Sequence, residues 1–285
     1  MNDPHFKFER YPLVLDRESR YCGKTALFLA VMCHLAYQKK QKVLHVVRRL
    51  NGRGRFICKK KSIDVDTQCF AAEFENDVLV SFRGSWQWQD WLTNVQYHPV
   101  NGPLFNNGRG KVHKGMWDAL TPALNDLFKF LDTCDLANKS LWLTGHSLGG
   151  GLANLFAGVL REKGIKVMGL YTFATPKVAD DYHASCIDNS ILGPHYRLEN
   201  KFDPVPDLPP SRLVNYHHSG ELIDIQDRSY RHFKSWPLFK ANLKAIRRGK
   251  GKGLSIPNIY HRHNLNSGYN SYIPRLSRQL GKSSL

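Results

Sequence analysis

The chain has 285 residues and a formal net charge of +17, and its length suits one large α/β domain. The longest apolar run, Thr25–Cys33, is too short to span a bilayer and follows a charged leader. We therefore expect neither a membrane-spanning helix nor a signal peptide. Continued to Tyr37, the same run predicts a buried helix that packs on a sheet.

The charge is distributed unevenly along the chain. Residues 19–63 contain 12 Lys and Arg and no acid, and residues 228–285 contain 13 and again no acid. With −1 on residues 1–18, this leaves −7 on residues 64–227, the predicted catalytic core. Nucleic-acid binding is one interpretation of such basic flanks, but no nucleic-acid motif accompanies them. Anionic phospholipid headgroups explain the same flanks.

The six cysteines are scattered and show no paired metal-ligand spacing. We interpret them as free thiols of a protein made in the cytoplasm, with disulfides as the open alternative. A basic protein of this kind is expected to associate peripherally with membranes, and export by a leaderless route is compatible with it.

The stretch Leu141–Gly151 predicts a short apolar strand, a tight turn and a helix that begins near Gly150. It contains the pentapeptide G-x-S-x-G, with Gly145 and Gly149 on either side of Ser147. Small residues are needed there because the strand and helix backbones approach too closely for a Cβ. The helix N-terminus favours negative charge on an attacked substrate. The pattern predicts a nucleophile elbow, and the alternative is a glycine-rich turn with an idle serine.

An activated serine needs a base and an orienting acid, which in α/β-hydrolases follow the serine in the order acid, histidine. We place the acid at Asp203, because Tyr196–Glu199 reads as a strand and residues 200–206 as the loop at its carboxyl end. A turn-forming Asp-Pro is the plain alternative, and Asp207 is a competitor in the same loop. Three other aspartates fall around a predicted helix and are read as solvated surface charges: Asp180, Asp181 and Asp188.

The same order restricts the base to seven histidines: His183, His195, His217, His218, His232, His261 and His263. Two of them lie in residues 213–223, which look like a strand or hairpin, and a positive field around His232 would depress its basicity. We place the base at His263 in preference to His261. The two alternate around an arginine and face opposite ways, so only one can reach Ser147.

The oxyanion of the reaction needs backbone N–H donors. One is expected from Leu148, the residue after the nucleophile. Val78–Ser85 predicts an earlier strand that ends in Gly84 and Ser85, and Ser85 would supply the second N–H together with its hydroxyl. The alternative for Ser85 is an ordinary Gly-Ser turn.

Residues 235–248 predict a basic amphipathic helix of the kind that lies on membrane surfaces. Its apolar face would carry Phe239, Leu243 and Ile246. We expect its basic side chains to bind membranes: Lys240, Lys244, Arg247 and Arg248. A surface helix docked on the sheet with a solvated basic face is an equal alternative.

Six landmarks in order make the chain resemble the fungal-type triacylglycerol lipases, or class 3 lipases, of the α/β-hydrolase superfamily. The resemblance runs from about residue 71 to residue 210, with a looser C-terminal match. The landmarks are Ser81–Ser85, Asp90–Asn94, Val112–Trp117, Gly145–Gly150, Phe173–Pro176 and Asp203–Pro210.

The resemblance implies Ser147 as nucleophile, Asp203 as acid, and Ser85 with Leu148 as the oxyanion hole. The chain departs from the family at the base, since the family's histidine commonly follows an aspartate and no acid precedes His263. The resemblance also implies a lid just after Ser85. There the lid and substrate-binding candidates are Trp86, Trp88, Trp91 and Leu92. Tryptophan prefers the boundary between water and acyl chains, although a helical core stripe would show the same pattern.

The sequence therefore predicts a single α/β-hydrolase domain over residues 1–285, with a mostly parallel central sheet and helices on both faces. Residues 64–227 form the catalytic core, and residues 228–285 form a basic segment that carries the base. We expect a lipase that hydrolyses carboxylic esters through an acyl-enzyme, with no metal or organic cofactor. Its partner is a lipid substrate at a membrane or lipid-droplet interface.

Glycerophospholipid is the preferred substrate on grounds of charge, and neutral acylglycerols or simple carboxylic esters are the second choice. A rival from another class is a catalytically idle module on a hydrolase scaffold that binds membranes or nucleic acid. Some bacterial members of the family are exported as lipid-degrading toxins, a role that this basic chain permits.

Overall fold

One mixed sheet dominates the part of the chain that the computed structural model describes, which is residues 6–60, 66–84, 98–200, 203–210, 213–225, 263–266 and 271–283. The strands in chain order are β1 (Arg53–Lys60), β2 (Asp66–Glu73), β3 (Asp77–Phe82), β4 (Pro99–Asn106), β5 (Arg109–His113), β6 (Ser140–His146), β7 (Gly169–Phe173), β8 (His195–Glu199) and β9 (Glu221–Asp224). The helices are α1 (Gly23–Leu35), α2 (Lys40–Arg49), α3 (Lys114–Leu131), α4 (Leu148–Glu162), α5 (Asp181–Asp188) and α6 (Tyr272–Ser283), and a 3₁₀ turn covers Phe8–Arg10.

The order of strands in the sheet brings the ends of four parallel strands together. Among the described residues the order is β1-β2-β3-β6-β7-β8-β9, and β4 and β5 form a separate antiparallel ribbon. The β1–β2 and β2–β3 pairs are antiparallel, and every later pair in the sheet is parallel. The register pairs Phe82 with Gly145, and Phe173 with both His146 and Leu198. These residues mark the carboxyl edge of the sheet, where α/β folds carry their chemistry.

Two hydrophobic cores cover the two faces of the sheet. Alternate residues of a strand point to opposite faces, so Leu79 enters one core while Val78 and Val80 enter the other. The first core is completed by α1, α2 and α6, and the second by α3, α4 and α5. Helix α1 is apolar around most of its circumference, and the side chains from Phe28 to Leu35 are all buried. The predicted α/β-hydrolase architecture, with helices on both faces of a mostly parallel sheet, is confirmed.

Several predicted elements are observed close to their expected bounds. The strand before Ser147 is β6, the strand before the Asp203 loop is β8, and the buried apolar run is α1. The helix after the serine begins at Leu148 rather than near Gly150. The prediction of a strand or hairpin over residues 213–223 is wrong for most of its length. Only β9 at its end pairs with the sheet, while His217 makes one isolated bridge to Ala179.

The structure also describes the cysteines and the lengths of the helices. All six cysteines are free thiols. Every helix in the described residues falls short of the length and apolarity that crossing a bilayer requires. The helix predicted over residues 235–248 lies outside the described residues, and with it Lys240, Lys244, Arg247 and Arg248.

Candidate active site

Ser147 occupies a sharp turn between β6 and α4. Its φ of 57° and ψ of −127° lie in the left-handed half of conformational space, which is costly for a residue with a side chain. The Ser147 N–H donates to the carbonyl oxygen of Phe173 at 2.8 Å, which ties the turn to β7. A Cβ on Gly145 would collide with the backbone of Gly149, and one on Gly149 would collide with Phe82. The pentapeptide is therefore an elbow whose geometry requires both glycines.

The structure brings Ser147, His263 and Asp203 into one hydrogen-bonded chain. The Nε2 atom of His263 lies 3.0 Å from Oγ of Ser147, and Nδ1 lies 2.9 Å from Oδ2 and 3.1 Å from Oδ1 of Asp203. The side chains of His263 and Asp203 are fully buried. A carboxylate can only accept, so Nδ1 carries the proton and Nε2 is left to accept from the serine hydroxyl. This is the arrangement that prepares a serine for nucleophilic attack.

Asp203 is held by the loop that leaves β8. Its N–H donates to the carbonyl oxygen of Asn200 at 2.9 Å, and its Oδ1 accepts from the N–H of Val205 at 3.0 Å. The hydroxyl of Tyr272 lies 3.5 Å from Oδ2, and the same hydroxyl accepts from the N–H of Asn200 at 3.0 Å. Burial, followed by the charges of Asp203 and Glu199, raises the pKa of Tyr272 well above its usual value. Tyr272 therefore remains a proton donor beside the acid.

His146, inside the pentapeptide, ties the base to the loop that follows α1. Its Nε2 lies 2.6 Å from the carbonyl oxygen of His263, and its Nδ1 lies 2.9 Å from the hydroxyl of Tyr37. The carbonyl can only accept, so Nε2 donates and Nδ1 accepts from the tyrosine. Burial, followed by the nearby His263, lowers the pKa of His146 well below its usual value and keeps the ring neutral. His146 and Tyr37 thus fix the backbone that carries the base.

Neither role was predicted from the sequence. The histidine inside G-x-S-x-G was a visible signal for His146. Nothing near Tyr37 in the sequence links it to a residue more than a hundred positions away.

The backbone around the expected oxyanion hole is partly described. The Leu148 N–H lies in the first turn of α4, directly after the nucleophile. A Cβ on Gly84 would lie 2.5 Å from the carbonyl oxygen of His146 and 3.1 Å from Cβ of Ser147, so Gly84 passes directly beside the nucleophile. The next residue, Ser85, lies outside the described residues. The lid candidates also lie outside them: Trp86, Trp88, Trp91 and Leu92.

The other candidate histidines have different neighbours. His217 Nε2 lies 3.1 Å from Oδ1 of Asn215, and His218 Nε2 donates to the carbonyl oxygen of Pro206 at 2.9 Å. His195 Nδ1 lies 3.2 Å from Oδ1 of Asp188. The ring of His183 is buried against Gly158. His232 and His261 lie outside the described residues.

A cluster of ionisable side chains lies behind the acid, around Glu199 at the end of β8. Burial raises the pKa of Glu199 to about 7, against the lowering effect of Arg197 and with the help of Asp207, Asp203 and Asp224. Glu199 accepts a hydrogen bond from Nη1 of Arg197. Within the described residues, no group of three histidine, cysteine or carboxylate side chains is placed to hold a metal ion.

A mostly parallel sheet with a serine elbow, followed in chain order by an aspartate and a histidine in contact, defines an α/β-hydrolase. The model of the family described as Lipase (class 3) matches residues 79–213. Over just under half of its length, this chain therefore resembles the class 3 lipases.

Similar proteins agree with this assignment. The chain is 33% identical over 146 residues to "Secreted mono- and diacylglycerol lipase 1" of Fusarium solani, covering 50% of this chain and 42% of that protein. It is 25% identical over 213 residues to "Phospholipase A1-II 4" of Oryza sativa subsp. japonica, covering 64% and 53%. The solved Rhizomucor miehei lipase propeptide complex superposes with a TM-score of 0.59 at 29% identity, covering 71% of this chain and 68% of that one. The chain spans about half the length of these curated relatives.

We expect Tyr37→Phe to slow the reaction of Ser147 with a fluorophosphonate probe by about tenfold. The change leaves the buried Nδ1 of His146 without its donor, which costs about 1–3 kcal/mol and loosens the backbone of His263. The rate of covalent labelling measures the nucleophile directly, and urea unfolding measures stability. Tyr196→Phe is the matched control, because its hydroxyl donates to the carbonyl oxygen of Ser19 at 2.6 Å, away from the three residues. Equal labelling rates for both variants would contradict a positioning role for Tyr37.

We expect Glu199→Gln to change how stability depends on pH. The folded state binds the Glu199 proton more tightly than the unfolded chain, because its pKa is raised to about 7. Ionisation therefore destabilises the folded wild type progressively from about pH 4.5 to about 7. Relative to the glutamine variant, the wild type should lose on the order of 2 kcal/mol over this range. Urea unfolding at pH 5 and pH 8 measures the difference, with Glu221→Gln on the exposed face of β9 as control. A difference that stays constant with pH would show that Glu199 ionises normally.

Proposed function

We propose that the protein hydrolyses carboxylic esters of water-insoluble lipids through an acyl-enzyme on Ser147. The observation that carries the proposal is the contact of His263 with Ser147 on one ring nitrogen and with Asp203 on the other, all at the carboxyl edge of the sheet. The match of residues 79–213 to the class 3 lipase family model supports the same reaction.

The reaction follows from the protonation states that the contacts require. Nε2 of His263 takes the proton of the Ser147 hydroxyl while Oγ attacks the ester carbonyl carbon. The negative charge that develops on the carbonyl oxygen is stabilised by the N–H of Leu148 and, in this proposal, the N–H and hydroxyl of Ser85. His263 returns the proton to the alkoxy leaving group, which departs as the alcohol. Water, deprotonated by the same ring, then releases the fatty acid, and Asp203 stabilises the imidazolium in both halves.

Glycerophospholipid is our preferred substrate class, and neutral acylglycerol is the second candidate. The basic flanks favour an anionic lipid surface. The relatives are compatible with both substrate classes, since one is named a mono- and diacylglycerol lipase and another a phospholipase A1. In both cases the tryptophans after Ser85 are proposed as a lid that contacts acyl chains.

The segment 228–252 is proposed to bind anionic membranes through its amphipathic helix. Nucleic acid is not proposed as a partner, because the sequence contains no nucleic-acid-binding motif. The contact between Ser147, His263 and Asp203 favours an enzyme over an idle binding module on the same scaffold.

Ser147→Ala should abolish hydrolysis while the circular dichroism spectrum stays that of the wild type, because the hydroxyl makes the covalent intermediate. His263→Ala should lower kcat by several orders of magnitude, and His261→Ala should have little effect. The measurement is mass spectrometry of the products from mixed lipid vesicles that contain phospholipid and acylglycerol, which also identifies the substrate class. Ester cleavage by the alanine variant at a near-wild-type rate would place the nucleophile elsewhere.

Joint neutralisation of Lys240, Lys244, Arg247 and Arg248 to glutamine should weaken binding to anionic vesicles and slow hydrolysis there. Each basic residue near the surface contributes about 1 kcal/mol, and salt screens this attraction. Hydrolysis of a short soluble ester should change little, because the three reacting residues are untouched. Vesicle binding that is insensitive to both salt and the substitutions would indicate a purely hydrophobic attachment.

A further inference from the structure

The loop between α1 and α2 is fixed at the carboxyl edge of the sheet, beside the candidate active site. Nε2 of Gln68 donates to the carbonyl oxygens of Ala36 and Gln38, at 2.6 and 3.1 Å. Gln68 is in turn held by Arg83, whose Nη1 donates to its Oε1 at 2.8 Å. Arg83 directly follows β3 and precedes Gly84, which passes beside Ser147. The loop therefore belongs to the same edge as the nucleophile.

This loop ends at Lys39, and α2 begins at Lys40. We call these two lysines the corner pair. Both side chains are exposed, and Lys39 is the N-cap residue of α2. They lie two and three positions after Tyr37, whose hydroxyl contacts His146. The corner pair is thus attached to the site through a short and fully anchored piece of backbone.

The positive charges of the corner pair do not stabilise α2. The N-terminus of a helix carries a partial positive charge, so basic residues are unfavourable there and acidic residues are favoured. The first turn of α2 contains no acidic residue, and the Lys39 side chain makes no capping hydrogen bond. Within the described residues, neither lysine forms an ion pair with a carboxylate. By contrast, Lys59 and Arg55 on the neighbouring strand both pair with Asp126.

We propose that the corner pair binds the phosphate groups of an anionic phospholipid bilayer and holds the carboxyl edge of the sheet against the lipid surface. The inference rests on the proposed function, since an enzyme whose substrate is part of an interface must present its active-site edge to that interface. Charge complementarity selects the partner, because the 19–63 segment contains no acid to offset its basic residues. The corner pair consists of different residues from the 228–252 segment proposed above.

The same helix supplies a matched control. Arg48 and Arg49 are also exposed, and within the described residues they too make no ion pair with a carboxylate. The two arginines lie nine residues after the two lysines along α2, which is about 13.5 Å at 1.5 Å per residue. This end of the helix leads into Gly52, whose N–H donates to the carbonyl oxygen of Val47, at the edge of the sheet away from Ser147. At physiological salt the Debye length is about 8 Å, so a bilayer against the carboxyl edge acts on the corner pair far more than on the two arginines.

The test compares K39Q/K40Q with R48Q/R49Q, each in the Ser147→Ala protein so that the lipid stays intact. Sedimentation with vesicles of phosphatidylglycerol and phosphatidylcholine measures binding, and pure phosphatidylcholine vesicles measure the part that does not depend on charge. K39Q/K40Q should bind anionic vesicles at least about tenfold more weakly, which corresponds to a few-fold for each lysine near the surface. R48Q/R49Q should change binding by less than about twofold. Equal losses for the two variants would show that only total charge matters, and unchanged binding by K39Q/K40Q would also overturn the proposal.

Two further measurements separate this inference from the proposed function and from a nucleic-acid partner. With Ser147 restored, K39Q/K40Q should cleave a short soluble ester at the wild-type rate, while its rate on anionic vesicles falls. If neither the wild type nor K39Q/K40Q cleaves an ester, the proposed function is refuted, while the vesicle-binding result remains valid by itself. If K39Q/K40Q lowers retention on duplex DNA while vesicle binding is unchanged, the corner pair is a nucleic-acid contact and the membrane proposal is wrong.

Discussion

The close approach of β6 to α4 is the constraint on which the active-site edge depends. With glycine at positions 145 and 149, the helix can begin immediately after Ser147. The serine then has a positive φ, a backbone conformation that costs free energy for a residue with a side chain. The cost of that conformation is offset by the N–H of Ser147 bonding across to β7 and by the buried helix behind it. Because the elbow also lies against Phe82, it sets the position of the chain segment that continues from β3 to Gly84.

A second set of contacts joins parts of the chain that are far apart in sequence. Tyr37 comes from the loop after α1, His146 from β6, and His263 from the segment before α6, yet one continuous hydrogen-bonded path connects them. Buried polar groups must be paired, so removing one member leaves its neighbour unsatisfied. The base is therefore positioned through its main chain by His146 and through its ring by Asp203. These two independent attachments restrict both the position of the imidazole and its rotation.

The sequence predicts the site where its geometry is local and fails where it is not. Ser147 and its glycines are visible because the strand, turn and helix occupy consecutive residues, and Asp203 because it follows a strand. His263 is harder to predict, since only triad order and its position in a loop before the C-terminal segment favour it, and alternation shows only that His261 and His263 cannot both reach Ser147. Tyr37 and Tyr272 were missed because their roles come from tertiary contacts alone. The strand or hairpin predicted over residues 213–223 is wrong for most of its length, because its first residues form a turn bonded to Pro210 and His217 makes only an isolated bridge to Ala179. Only β9 at its end pairs with the sheet.

The placement of α6 has a consequence for the order in which the site is completed during synthesis. Tyr272, Ile273 and Leu276 are buried in the core that α1 also lines, and Leu265 beside His263 is buried in the same core. The ribosome delivers the elbow and the acid well before the segment that carries the imidazole. A nascent chain can therefore form most of its sheet while its serine has no base. A protein with the proposed activity on lipids would in this way remain inert beside the membranes of the cell that makes it until α6 has docked.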